Sequence, residues 1–338
     1  MSDTTTIDTV EIAGASAQIG EQVQRLVAAL EQELSGVIVG QRSVVRGVLT
    51  ALLAGGHVLL EGVPGLGKTL LVRTLAECVD LTYGRIQFTP DLMPSDIVGT
   101  DVIKEIDEGR SFTFQQGPIF ANLILADEIN RATPRTQSAM LEAMQERVVT
   151  VGRETHKLPQ PFFVLATQNP IDLQGTYPLP EAQLDRFFFK LTVTYPAHDE
   201  LKEIARRTTG NQASKPRVVM TGATLQKLQE LVRDVPVAEP VLDYAARLVM
   251  ATHPEGQEGT PAARRFVRYG ASPRAIQALV LAGKVNAILS NRYNISFDDL
   301  RRVSLPALRH RLVLNVEAQL QNVNADQILT QILEEVKA

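Results

Sequence analysis

The apolar positions divide the chain into two regimes. Up to about residue 196, five short runs stand between helical or loop segments: Val58 to Leu60, Arg85 to Phe88, Leu123 to Ala126, Phe162 to Ala166 and Phe187 to Leu191. Runs that are apolar at successive positions suit strands covered on both faces, which predicts a mostly parallel five-stranded sheet in an α/β fold. Ahead of them, Ile19, Val23, Leu26, Val27 and Leu30 step by three and four, as an amphipathic helix does. Ile38-Val39-Gly40-Gln41 then reads as a turn before a second helix ending near Ala54. Two inserts interrupt the scheme, Val102 to Gln115 around Asp107-Glu108-Gly109-Arg110 and Val148 to Leu158 around Gly152-Arg153-Glu154. Both predict β-hairpins, and the pattern alone suits ordinary surface hairpins as well.

After Tyr195-Pro196 the period becomes helical throughout: Leu225-Leu228-Leu231-Val232, Val241-Leu242-Ala245-Leu248-Val249 and Ile328-Leu329-Ile332-Leu333-Val336. The expected organisation is a disordered tail over residues 1–16, an α/β domain over 17–196 and a small all-helical domain over 197–338.

Composition narrows the function classes. With 338 residues and 44% apolar content the chain has material for two cores. A net charge of −4 supplies no global basic field for gripping nucleic acid. The one cysteine, Cys78, excludes an intrachain disulfide and falls on the apolar face of a helix, where a buried, inert thiol is expected. The first residues are polar and acidic, without the basic and apolar regions of a secretory signal, and no apolar run is long enough to span a bilayer. A soluble cytoplasmic protein is expected.

The candidate chemistry begins at Gly62-Val63-Pro64-Gly65-Leu66-Gly67-Lys68-Thr69, which follows the run at Val58 and opens a helical segment at Leu70. Glycines let successive backbone N–H groups turn toward phosphate oxygens, and the helix N-terminus beneath adds its positive end. Lys68 would reach the outer phosphates and the Thr69 hydroxyl would meet Mg²⁺. Downstream, Leu123-Ile124-Leu125-Ala126 ends in Asp127-Glu128. Carboxylates at the C-terminal end of a parallel strand stand where open sheets bind ligands, so Asp127 would hold the metal through water and Glu128 would polarise the attacking water. Phe162 to Ala166 leads into Thr167-Gln168-Asn169-Pro170, whose Asn169 amide could bind the same water or an outer phosphate oxygen. Arg186, in Leu184-Asp185-Arg186-Phe187, and Arg274, in Ala271-Ser272-Pro273-Arg274, are two arginines in helical contexts.

Taken in order, GVPGLGKT, LILADE, ATQN, LDRF and SPRA resemble the Walker A, Walker B, sensor 1, arginine-finger and sensor 2 elements of an AAA+ ATPase. Two longer blocks, ADEINRATPRTQSAMLEAMQE and FVLATQNPIDLQGTYPLPEAQLDRF, are similar to the MoxR family, a resemblance that extends over about residues 19 to 335. It implies an AAA+ P-loop core with two hairpin inserts facing the channel of a ring, followed by a helical lid. It further implies a hexamer with ATP and Mg²⁺ at subunit boundaries and chaperone-like remodelling of partner proteins. Those partners often carry a von Willebrand factor A domain or are metalloenzymes under maturation.

Carried onto this sequence, the nucleotide would be bound by Gly62, Pro64, Gly65, Leu66, Gly67, Lys68, Thr69 and Leu70, with Val39, Gly40 and Gln41 beside the adenine. Thr69 and Asp127 would hold the metal, Glu128 the water, and Asn169 would sense the outer phosphate. Arg186 would reach a neighbour's site, and whether Arg274 works within its own subunit or across the boundary stays open. Two other classes compete. A ring-shaped nucleic-acid motor shares such inserts and would draw on Arg264, Arg265, Arg268, Arg301, Arg302, Arg309 and Arg311; a nucleotide-gated scaffold would bind without turning over.

Overall fold

The computed structural model describes residues 16–63, 65–106, 109–170, 175–209 and 215–337. Of the tail expected over residues 1–16, residues 1–15 lie outside the described residues, as do Pro64, Asp107 and Glu108, while Ser16 begins the first helix. Helices α1 (Ser16–Val37) and α2 (Arg42–Ala54) precede β1 (Val58–Glu61), α3 (Lys68–Cys78), β2 (Tyr83–Gln87) and α4 (Pro94–Val98). Then come β3 (Gly99–Ile106), β4 (Gly109–Gln116), β5 (Leu123–Asp127), α5 (Pro134–Glu146), β6 (Val148–Val151) and β7 (Glu154–Lys157). Strand β8 (Phe163–Gln168), α6 (Glu181–Leu184) and β9 (Phe189–Thr192) end the α/β part.

Five of these strands form one parallel sheet in the order β2-β5-β8-β1-β9. The period-2 alternation of a strand sends neighbouring residues to opposite faces, and here both faces are covered. Val58, Leu60, Leu123, Leu125, Phe163, Leu165, Phe189 and Leu191 point into one apolar cluster shared with α1, α2 and α3. Leu59, Ile124, Ala126, Val164 and Ala166 point into the other, with α5 behind it. Strand β2 differs: Ile86 is buried while Arg85 and Gln87 on the other face are exposed, because β2 is an outer strand with one polar side. The segment expected as a continuously apolar run therefore alternates.

Both inserts are antiparallel hairpins, β3 with β4 and β6 with β7. They touch each other, the Phe114 and His156 rings being stacked with centroids 3.9 Å apart.

Past β9 the chain forms α7 (His198–Thr209), α8 (Gly222–Asp234), α9 (Glu239–Met250) and α10 (Pro261–Phe266), then β10 (Val267–Tyr269) and α11 (Arg274–Leu289). It finishes with α12 (Phe297–Leu308), β11 (Val313–Leu314), α13 (Val316–Leu320) and α14 (Ala325–Glu335). β10 and β11 pair as a small antiparallel ribbon inside the helical part, too short for a two-residue period to show in the sequence. The apolar cluster below the sheet continues without interruption into α8, α9, α11 and α12. Cys78 is buried in it, and burial pushes its thiol up to about 12. Among the described residues no helix is long and apolar enough to cross a membrane.

One buried polar group joins the layers. The His57 ring, at the entry to β1, accepts the Val164 N–H at Nδ1 (3.0 Å), which makes Nε2 the donor to the Met144 carbonyl (3.0 Å). The neutral imidazole thus links β8 to α5, and burial lowers its pKa to about 4. The unfolded chain takes up this proton near pH 6.5 and the folded one only near 4, so stability falls as pH drops through that window. Urea denaturation between pH 6 and 4.5 should show the wild type losing about 1.4 kcal/mol per pH unit more than His57→Gln, whose amide does not titrate.

Candidate functional site

Strand ends of a parallel sheet converge on one rim, and here the rim holds a cavity of about 300 Å³. It is lined by Gly65, Gly67, Lys68, Thr69, Leu70, Asp127, Glu128 and Asn169, contributed by the β1–α3 loop, the end of β5 and the end of β8. Gly65 (φ +82°) and Gly67 (φ +74°) have left-handed backbones, and a Cβ on either would meet nothing within 4 Å. That is an open cradle whose conformation L side chains rarely adopt. Leu66, between them, is buried, and its carbonyl accepts the Gln41 amide at 3.1 Å. This contact brings the Val39-Gly40-Gln41 turn to the glycine loop. Gly62 opens the loop, and its carbonyl accepts the Lys68 ammonium at 2.7 Å. Burial lowers the Lys68 pKa from its ordinary value, and the negative charges of Asp127 and Glu128 offset part of that.

The two carboxylates are braced from neighbouring strands. Asp127 Oδ1 accepts the Thr167 hydroxyl at 2.8 Å, and Oδ2 accepts Arg85 at 2.7 Å. Glu128 stands in a left-handed conformation (φ 56°) as the chain leaves β5 for the short 3-10 turn Ile129–Arg131. Its N–H donates to Thr167 Oγ1 at 2.8 Å, and its Oε2 accepts both Gln87 (3.1 Å) and Arg131 (2.9 Å). Thr167 is fully buried and serves both acids at once. Neither Arg85, Gln87 nor Thr167 was identifiable as a site residue from its own segment. The available signal was the polar alternation of β2 and the threonine just before Gln168-Asn169.

Arg186 and Arg274 do not line this cavity. Arg274 belongs to a second cluster built on Asp185, which follows α6 and directly precedes Arg186. Asp185 Oδ1 accepts the Ser272 hydroxyl (2.7 Å) and Arg311 (3.0 Å), and Oδ2 accepts Arg274 (3.3 Å). Arg274 also reaches Gln145 at the end of α5, at 3.3 Å. Arg311 is buried and donates further to the carbonyls of Phe187 (2.7 Å) and Phe188 (3.3 Å). Burial brings its pKa down to about 10, against the opposing pull of Asp185. His310 adds a contact to the Phe187 carbonyl at 2.9 Å. The segment carrying Arg186 is thereby fastened to the helical part, while the Arg186 side chain, half-buried, makes no hydrogen bond or ion pair with the described residues.

The residues present fit a magnesium-bound polyphosphate. The backbone cradle is open, one ammonium faces it, and hard oxygen donors from Thr69 and Asp127 stand beside it. Sheet order, glycine loop and paired acids define a P-loop ATPase of the AAA+ type. Comparisons with known proteins agree. The model of the AAA family of ATPases associated with various cellular activities matches residues 57–189, and the AAA lid domain matches residues 261–332. Chaperone MoxR1 of Mycobacterium tuberculosis is 43% identical over 96% of this chain and 85% of its own length. Protein MoxR of Paracoccus denitrificans is 33% identical over 84% of this chain and 88% of its own. The crystal structure of a candidate ATPase from Cytophaga hutchinsonii superposes with a TM-score of 0.87 at 39% identity, covering 94% of this chain and 96% of that one. The chain belongs to the MoxR family of AAA+ ATPases.

Removing the Thr167 hydroxyl strands a buried N–H and loosens a carboxylate. Thr167→Val should cost about 1–3 kcal/mol in urea denaturation, with Thr167→Ser retaining most of the stability.

Proposed function

We propose that this chain binds ATP with Mg²⁺ in the rim cavity and hydrolyses it within a ring, most simply a hexamer, to remodel a client protein. The observation that carries this reading is the separation of parts. Lys68, Thr69, Asp127, Glu128 and Asn169 converge on one cavity, while Arg186 is held away from it with its guanidinium unengaged among the described residues.

Each side chain then has one task. The loop from Gly62 to Thr69 and Leu70 presents backbone N–H groups and the Lys68 ammonium to the phosphates, and the segment Val39 to Gln41 flanks the base. Thr69 and Asp127 would hold Mg²⁺, which when bound neutralises charge on the phosphate oxygens. Glu128 orients a water and accepts its proton as that water attacks the outer phosphorus and the bond to the bridging oxygen breaks, ADP leaving with that oxygen, while the amide of Asn169 fixes the outer phosphate oxygens. Arg186 enters the site of the adjacent copy. Arg274, tied through Asp185 to the same turn, is presented with it rather than to its own cavity. A functional division near residue 197 separates the nucleotide-binding unit from the helical unit that moves with its state. Von Willebrand factor A domain proteins and metalloenzymes under maturation are the client classes the family resemblance favours, in the cytoplasm.

The nucleic-acid motor draws little from the arginines that would favour it. Arg264 donates to the carbonyls of Gly256 and Gly259, Arg265 pairs with Glu317, and Arg301 donates to Tyr244. Arg309 pairs with Asp326 and Arg311 with Asp185. These contacts are intramolecular, which leaves few cations for phosphates. The intact Asp127-Glu128 pair likewise disfavours a scaffold that binds without turnover.

Sites of this kind lacking an external arginine hydrolyse at roughly 10⁻⁴ to 10⁻² per second, and a supplied arginine accelerates them about 10³- to 10⁵-fold. Rings mixed from Arg186→Ala and Glu128→Gln chains should therefore recover ATPase activity that neither variant shows alone. Mixed rings of verified composition that stay inactive would overturn the role across the boundary.

A further inference from the structure

The turn that holds Glu128 and the segment that leads to Arg186 meet at a buried side chain belonging neither to the cavity nor to the Asp185 cluster. Gln137, near the start of α5, is fully buried. Its amide nitrogen lies within hydrogen-bond distance of three carbonyls, those of Ile129 (3.3 Å), Ala132 (3.1 Å) and Tyr177 (2.9 Å). The first two belong to the turn that leaves Glu128, and the third to the segment that continues through Pro180 and α6 to Arg186. An amide carries two N–H groups, so the three carbonyls share them. Its oxygen, Oε1, is buried with no partner among the described residues. Turned over, the amide would set that oxygen against three carbonyl oxygens, so the observed orientation prevails although it leaves one acceptor unpaired. Two further bonds close the junction. The Tyr177 N–H donates to the Asn130 carbonyl at 2.7 Å, and the Gln183 amide of α6 donates to Ser138 Oγ, on the next residue of α5, at 3.2 Å.

We infer that Gln137 is a positioning residue that fixes the Glu128 turn and the Arg186 segment against each other, so that the acid of one site and the arginine offered to the next are set by a single amide. This rests on the ATPase reading above, with its arginine acting across the subunit boundary, and deepens it. Glu128 has a left-handed backbone (φ 56°), which a residue other than glycine holds only where its surroundings impose it. The turn supplies one restraint, the Arg131 N–H donating to the Glu128 carbonyl at 2.9 Å. Gln137 supplies the next, since Ile129 and Ala132 are fully buried and their carbonyls need a donor from within the protein. A shift of the Glu128 turn therefore moves two acceptors of the amide that also holds Tyr177, nine residues ahead of Arg186. The intervening chain is not free to absorb that shift, because Leu179 is buried in the apolar cluster behind the sheet and Gln183 is tied to α5.

Gln137→Met tests this, because methionine keeps the length and bulk of the side chain and removes the donors. Binding of a fluorescent non-hydrolysable ATP analogue with Mg²⁺ should stay near the wild-type affinity. At the same time kcat should fall about ten- to a hundredfold, the scale of a catalytic group displaced by about 1 Å. Thr136→Val removes the neighbouring buried hydroxyl, which donates to the Leu92 carbonyl at 2.7 Å, and controls for a loosened α5: it should melt lower with kcat unchanged. The coupling is read in rings mixed from Arg186→Ala and Glu128→Gln chains, where the working site has its own Glu128 and borrows Arg186 from the Glu128→Gln chain. Adding Gln137→Met to that donor chain should lower the recovered rate about three- to tenfold, although the donor's own acid is already gone. An unchanged kcat in Gln137→Met, an equal fall in Thr136→Val, or weakened analogue binding that accounts for the whole loss overturns the positioning role. A donor that rescues as well with Gln137→Met as without it overturns the coupling to Arg186. If Gln137→Met does not fold, Gln137→Asn, which keeps the amide but withdraws it by one methylene, carries both measurements with the same signs. Mixed rings that are inactive with Gln137 intact overturn the role of Arg186 across the boundary, and a wild type that binds no analogue overturns the nucleotide site. Both differ from an active mixed ring that Gln137→Met leaves unchanged.

Discussion

A parallel sheet buried on both faces leaves polar side chains no place within its layers, so they collect at the rim where the strands end. Everything functional about this chain follows from that exclusion. The interior positions of β1, β5 and β8 are apolar and covered by two clusters. Asp127, Glu128 and Asn169 come where those strands stop, beside the loop that leaves β1. Because neighbouring strands run the same way, three segments far apart in sequence deliver their polar ends to one cavity.

Collecting charges at a rim creates a second requirement, that each be held in place. Thr167 meets it with one buried hydroxyl, donating to one acid and accepting from the backbone of the next. The outer strand β2 supplies the rest, since its solvent side is free to be polar. A central strand could not offer Arg85 and Gln87 in this way without burying charge. The edge position of β2 and the bracing of the carboxylates are thus one structural fact.

The Asp185 cluster applies the same physics elsewhere. A buried arginine needs a carboxylate and carbonyls to offset its lost hydration, and Arg311 finds both in the turn that carries Arg186. The consequence is mechanical. The turn that carries Arg186 is tied to the helical part through Asp185, Phe187 and Phe188, which hold Arg274 and Arg311.

Much of this was legible along the chain. The five strand positions, both hairpins, the helical C-terminal part and the cavity residues from Lys68 to Asn169 follow from local runs and short motifs. Each of those signals is contained within a few neighbouring residues: a glycine loop needs its glycines adjacent, and a buried strand needs its apolar residues consecutive. The ribbon of β10 and β11 was invisible because pairing of such short strands depends on partners 44 to 47 residues away, Val313 for Tyr269 and Leu314 for Val267. Arg311 looked like one basic residue in a basic group, and Arg85 like the start of an apolar run. What distinguishes each is a partner distant in sequence, Asp185 for the one and Asp127 for the other. The chain by itself determined which backbone conformations and which chemical groups are present. Only the folded arrangement decided which charge neutralises which, because electrostatic pairing depends on separation in space, and no local pattern encodes that.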